Sequence, residues 1–435
     1  MIRALALALG AALFAVSAHA EEPAAPPRAE EVAGPPRPAA LPVHPYDLTF
    51  DARFSPNERT ARVTVRVGGP EPDLLHGVTF RIDPERHRDF RGDGELVVEG
   101  ARVTWRPPKA GGALHYTFGV DHLRDVRAYD AHFAENWALF RGDDLVPPAH
   151  VRFADGARAH ARLRLRLPDG WKAATPFERL PDGRYRIDNP RRAFDRPTGW
   201  ILLGHLGILR EKIAGSRVSI AAPVGQRARK EDMLALLRWT LPALKKVVGE
   251  LPPRLLVTAA GDPFWRGGLS APASLYVHAD RPLVTPDVTS PLLHELMHSA
   301  LGIRSGHGGD WVVEGIAELY SLELLVRSKT ISKKRYRKAL EGLAVRGATV
   351  AALDVPSATG ATTARAAAEL HALDRELRRG SEERITLDDV VRRLAEERSA
   401  ITTERFRTLV DQVAGRSLGA FFRARIPLAK QPALP

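Results

Sequence analysis

Between residues 46 and 215 apolar and polar residues largely alternate, notably over 48–54, 61–67, 96–105, 114–120 and 159–167, with Pro, Gly and Asp between the runs. Period-two alternation is the pattern of half-buried strands and predicts a β-sandwich-like N-terminal domain over 46–215. Near residue 229 the period changes. Met233, Leu234, Leu236, Leu237, Leu241, Leu244 and Val248 recur at helical spacing, and Gly249 and Pro252-Pro253 end the run. Pro242 inside it predicts a kink. Short apolar runs at 255–259 and 273–278 read as strands, and Ser290-Pro291 opens a further helix. From Ser332 onward the pattern is almost wholly helical. The expected fold class is α+β multidomain, with a mixed α/β region over 216–330 and a C-terminal helical bundle over 331–430.

The first residues follow a different logic. Met1-Ile2-Arg3, an apolar run over 4–16 and Ala18-His19-Ala20 predict a signal peptide over 1–20, too short in its apolar core to span a bilayer. Glu21 stands where a lipid-anchored chain carries cysteine, and residues 21–45 form a Pro/Ala-rich linker. No other stretch is apolar enough for a membrane helix, so the mature chain is expected to be secreted, in a bacterial periplasm given its Ala-, Arg-, Gly- and Pro-rich composition. It has no cysteine, which leaves His and carboxylate side chains to hold any metal. The formal charge of +12 comes largely from dispersed Arg, such as Arg162, Arg164 and Arg166 alternating with Leu. That spacing suits a solvated face, and no nucleic-acid partner is expected. Trp137 or Trp171 offers a possible carbohydrate or polymer platform on the β-rich domain.

The richest chemistry lies at His294-Glu295-Leu296-Met297-His298. Helical residues four apart are rotated by about 40°, so both imidazoles reach one ion from the same face. Glu295 stands beside them as a general base for metal-activated water. An HExxH string arises by accident in roughly a few per cent of chains of this composition, so its surroundings decide. Zinc needs a third protein ligand, and downstream Glu314 and Glu318 again sit four apart on a helix among apolar positions. Glu314 is assigned as the third ligand to one zinc ion per chain, and Glu318 as the acceptor orienting a ligand histidine. The competing expectation is a pair of solvated carboxylates bridged to Arg327 or Arg304. His307 does not fit the HExxHxxGxxH spacing and reads as an exposed or pocket-lining residue of the loop Ser305-Gly306-His307-Gly308-Gly309.

HELMH at 294–298, then Trp311, then EGIAE at 314–318 resemble the gluzincin zinc metallopeptidases, in their glycyl-aminopeptidase-like branch. The segment 189–200 resembles the end of that family's β-rich domain, and the 373–390 region its C-terminal helices. The resemblance implies a thermolysin-like α/β catalytic domain over 216–330, a peptide or protein substrate, and a substrate wall formed by Gly267, Gly268, Leu269 and Ser270. The chain departs from the family in three ways. The connection from His298 to Glu314 is shortened. Ser270 replaces the glutamate that grips a substrate's free amine, and the transition-state tyrosine has no counterpart near Thr362 or Thr363. Tyr276, His278, His307 and His371 are the candidate substitutes. The expectation is an exported zinc peptidase using Glu295, aminopeptidase-like but open between exo- and endopeptidase action. The alternative is a noncatalytic peptide- or envelope-polymer-binding protein with structural zinc.

Overall fold

The structure, a computed structural model, describes residues 44–187 and 194–426. The expected signal peptide, nearly all of the linker and residues 189–193 of the family-like segment lie outside them. No helix of the described residues is long and apolar enough to cross a membrane.

The N-terminal region is built on β1 (His44–Ser55) and β2 (Thr60–Gly68). Tyr46, Leu48, Phe50, Ala52 and Phe54 are all buried, as strand alternation requires of one face. With β3 (Gly112–Gly119) and β4 (Ala157–Arg166), these two form the centre of a seven-stranded sheet in which β1 pairs parallel to β4 and antiparallel to β2. A four-stranded sheet packs beside it. The run 96–105, read as one strand, is a hairpin of Glu95–Glu99 and Arg102–Arg106. Gly100, at φ +53°, makes the turn, where the apolar positions change phase from Leu96 and Val98 to Val103 and Trp105. Phe50, Phe80 and Phe194 meet edge-on in the core between the sheets.

A further sheet containing Trp137–Arg141 and Trp200–Gly204 carries the junction to the rest of the molecule. Trp137 is 5% exposed and its ring lies 5.8 Å from Phe264, so it is core and not a carbohydrate platform. Trp171 is half-buried against Phe133.

Beyond the junction runs a five-stranded sheet. Its members are β5 (Leu206–Ile213), β6 (Ser216–Pro223), β7 (Arg254–Ala260), β8 (Gly268–Ala271) and β9 (Ser274–His278), in the order β5-β6-β7-β9-β8. Strands β6, β7 and β9 are parallel, and α1 (Lys230–Val248) makes the crossover between β6 and β7. Helix α1 buries the predicted apolar face, ends at Gly249 and continues through Pro242 as a single element. The short strand β8 is an edge, antiparallel to β9. Trp200 pins it: the indole N–H donates to the Leu269 carbonyl at 2.9 Å, and the Trp200 backbone N–H donates to Ser274 Oγ at 2.8 Å.

Helix α2 (Pro291–Leu301) starts where Ser290-Pro291 predicts, with Ser290 Oγ accepting from the Leu293 N–H. Helix α3 (Asp310–Arg327) carries the EGIAE motif and is buried over most of its circumference. The cover includes α4 (Lys333–Gly347) and α5 (Ala361–Ser381), which lies so close that a Cβ on Gly315 would stand 2.8 Å from that of Ala366. The glycine of the motif is therefore a packing residue. Helices α6 (Leu387–Glu397), α7 (Thr403–Ala414) and α8 (Gly419–Arg425) complete the helical region. They also hold the α2–α3 connection: Arg304–Ser305 pairs with Ala400–Ile401, Trp311 Nε1 donates to Thr403 Oγ1 at 2.8 Å, and Thr403 donates on to the Gly308 carbonyl at 2.6 Å.

Candidate metal centre

Helices α2 and α3 bring His294, His298 and Glu314 together. The two Nε2 atoms lie 3.1 Å apart, and the Glu314 carboxylate oxygens lie 3.3 Å from His294 Nε2 and 3.4 Å from His298 Nε2. A tetrahedral ion with bonds near 2.0–2.1 Å holds its ligand atoms about 3.3 Å apart, so these three sites fit one zinc ion. The side chains are 13–28% exposed, so the cluster is partly buried.

The electrostatics point the same way. Burial works against charge on His294, but hydrogen bonds to Glu314 and Glu318 and the charge of Glu295 outweigh it and push the imidazole up to about 10. Burial, then the charged His294, push His298 down to about 4.

Glu318 Oε2 lies 3.3 Å from His294 Nδ1 and accepts from that N–H, which turns the Nε2 lone pair toward Glu314 and His298. Neither carboxylate takes the surface ion pair considered above. Arg327 instead binds Glu323 and Asp388, while Arg304 is exposed.

Glu295 lies at the open side of the helix against β8. Burial raises its carboxyl above the usual range, His294 and Ser270 oppose that, and a dication beside it would pull the value down further. The contact with β8 is close. A Cβ on Gly268 would stand 2.5 Å from Glu295 Cγ, so only glycine leaves the carboxylate its place. Sequence reading named Gly268 through the family resemblance and missed this contact, which depends on the register of β8 against β9. Of the wall residues, Gly267 is buried beneath the Trp265 ring, whereas Gly268, Leu269 and Ser270 are half-buried on the edge strand.

The suggested substitutes for the missing tyrosine lie outside the three-residue ligand cluster. Tyr276 is fully buried, and its hydroxyl donates into the carbonyls of Ala260 and Trp265. His278 is buried beside Asp262, and His371 packs edge-on against Tyr336 in the helical region. His307 is exposed in its loop. None of them belongs to the His294–His298–Glu314 cluster.

No family model matches the chain, and no curated protein matches it by sequence. Solved structures do match. An aminopeptidase N family protein from Idiomarina loihiensis superposes with a TM-score of 0.67 at 17% identity, over 89% of this chain and 77% of that one. An M1 zinc metallopeptidase from Deinococcus radiodurans gives a TM-score of 0.57 at 17% identity, covering 91% and 96%. A variant of a two-domain M1 zinc metallopeptidase, bound to L-arginine, gives 0.58 at the same identity and coverage. At that identity the likeness is one of fold: the chain shares the mixed α/β architecture of these proteins.

Proposed function

We propose that this chain is an exported zinc-dependent peptidase that hydrolyses peptide bonds with Glu295 as general base. The observation that carries the reading is the convergence of His294, His298 and Glu314 at tetrahedral-ligand distances, with Glu295 between them and an open sheet edge. Zinc held there would supply Lewis acidity toward a water molecule and a scissile carbonyl. Glu295 would accept the water's proton and return it to the departing amine. Glu318 would keep His294 in the metal-binding tautomer.

Strand β8 is the natural binding rail, because an edge strand offers unpaired backbone groups to an extended peptide. On that rail Ser270 is uncharged and cannot pair with an ammonium group as a carboxylate does. Substrates would therefore be held mainly through their backbone, with little premium on a free amino terminus.

Removing the metal with chelator should abolish hydrolysis of a mixed peptide library, and one equivalent of zinc should restore it. Cleavage that continues in the stripped protein would defeat the reading. The second reading, a noncatalytic peptide binder with structural zinc, draws on the Tyr276 hydroxyl, which is committed to the Ala260 and Trp265 carbonyls. It predicts peptide binding without cuts in the zinc-loaded protein.

A further inference from the structure

At the far edge of the catalytic sheet from β8, the strand register stacks like charges. Lys212 on β5 lies directly opposite Arg217 on β6, and Arg217 lies opposite Arg254 on β7. Three cations thus form one row across three strands, an arrangement that destabilises a sheet unless something compensates it. Arg210, two residues from Lys212 on β5, shares that face.

This face lines an open cavity of about 420 Å³, bordered on its other side by Ala173, Pro176, Phe177, Arg179 and Tyr185 of the β-rich region, with Glu211 also in its lining. Burial raises the Tyr185 phenol, and the positive charges of Arg179 and Arg210 pull it back. The compensating acids are few. Glu178 binds Arg254 at 3.2 Å but is shared with Arg186, and Glu211 gives both its oxygens to Arg238. Among the described residues, Arg179, Arg210, Lys212 and Arg217 have no ion-pair partner.

We propose that this cavity is a binding site for a compact multivalent phosphoryl anion, gripped between Arg179 on one wall and Arg210, Lys212 and Arg217 on the other. Guanidinium groups match phosphoryl oxygens in bidentate geometry, and several from two walls select for a ligand with more than one negative charge. Cavities of this size suit small ligands. With strands spaced about 4.8 Å apart, the row centres about 14 Å from β8, so the site is distinct from the candidate metal centre. By bridging the β-rich region and the catalytic sheet, the anion would also clamp the two together.

Calorimetric titration of the full-length, zinc-loaded protein with sodium pyrophosphate, at ionic strength fixed with NaCl, tests this. One saturable site per chain is expected, at least about tenfold tighter than for orthophosphate, because pyrophosphate brings more negative charge and more phosphoryl oxygens to the guanidinium groups. Arg179→Ser and Arg217→Ser should each weaken it about tenfold, and Arg62→Ser on the distant β2 should not. Binding that survives both wall substitutions, including any that arises at the metal ligands, overturns the proposal. So does weak binding that added salt removes equally from every variant. Lys212→Glu supplies a second readout, since it should raise the melting temperature of the ligand-free protein by about 1 °C or more while removing protection by pyrophosphate. A lowered melting temperature with protection retained contradicts the charge-row account.

Discussion

Glu295 and Gly268 show how little room the chemistry has. A methyl group on Gly268 would displace the Glu295 carboxylate, whose Cγ lies 2.5 Å from where that Cβ would stand. Gly268→Ala is therefore expected to lower turnover on the order of 10²-fold while zinc content stays at the wild-type level. An unchanged kcat would mean that Glu295 is not held by β8. Glu318→Gln tests the orienting bond to His294 Nδ1, since loss of such a partner typically weakens metal binding about 10- to 100-fold. Competition with a chromogenic chelator reads that directly, and wild-type affinity would remove Glu318 from the site. At this scale the sequence was informative wherever distance along the chain fixes distance in space, as for His294 and His298 on one helix. Glu314 also followed, because a zinc site short of one ligand demands a donor nearby. The Gly268 contact did not follow, because it arises from strand pairing that no local spacing encodes.

Between elements, Asp388 ties α6 to α3, accepting from the Tyr320 hydroxyl at 2.7 Å and binding Arg327 at 2.7 Å. Burial raises its carboxyl, but the hydrogen bond and charge of Arg327, with the Tyr320 hydroxyl, outweigh that and hold it below the usual aspartate value. A carboxyl lowered on folding stabilises the native state above its unfolded value near 4, and that contribution is lost as pH falls through the lower folded value. Asp388→Asn should cost about 1–3 kcal/mol at pH 7 and flatten the loss of stability below about pH 4. Urea unfolding at pH 7 and pH 3 measures both, and equal destabilisation at the two pH values would contradict the assignment. The long, regular elements were legible: α1 ends at the predicted glycine, α2 begins at the predicted serine, and β1 alternates as read. The hairpin at Gly100 was not, although the apolar positions change phase there, from Leu96 and Val98 to Ala101, Val103 and Trp105. Nor were the two-residue strands at Arg304–Ser305 and Ala400–Ile401, which are too short to leave a periodic trace.

Across the molecule, the candidate metal centre is framed by contacts that start far from it. Trp200 of the junction fixes β8, and Thr403 on α7 fixes the loop leading into α3. The β-rich and helical regions therefore act as the two supports of the site, a role that the periodicity of their strands and helices does not encode. The central claim is that Glu295 performs hydrolysis beside a zinc ion held by His294, His298 and Glu314. The most direct measurement compares the zinc-loaded protein with its Glu295→Gln variant on the same peptide library, with zinc content determined for both. The account predicts one zinc per chain in each, with cuts made only by the unmodified protein and a fall of at least about 10²–10⁴-fold in the variant. Equal cleavage by the two proteins at equal zinc content would contradict it.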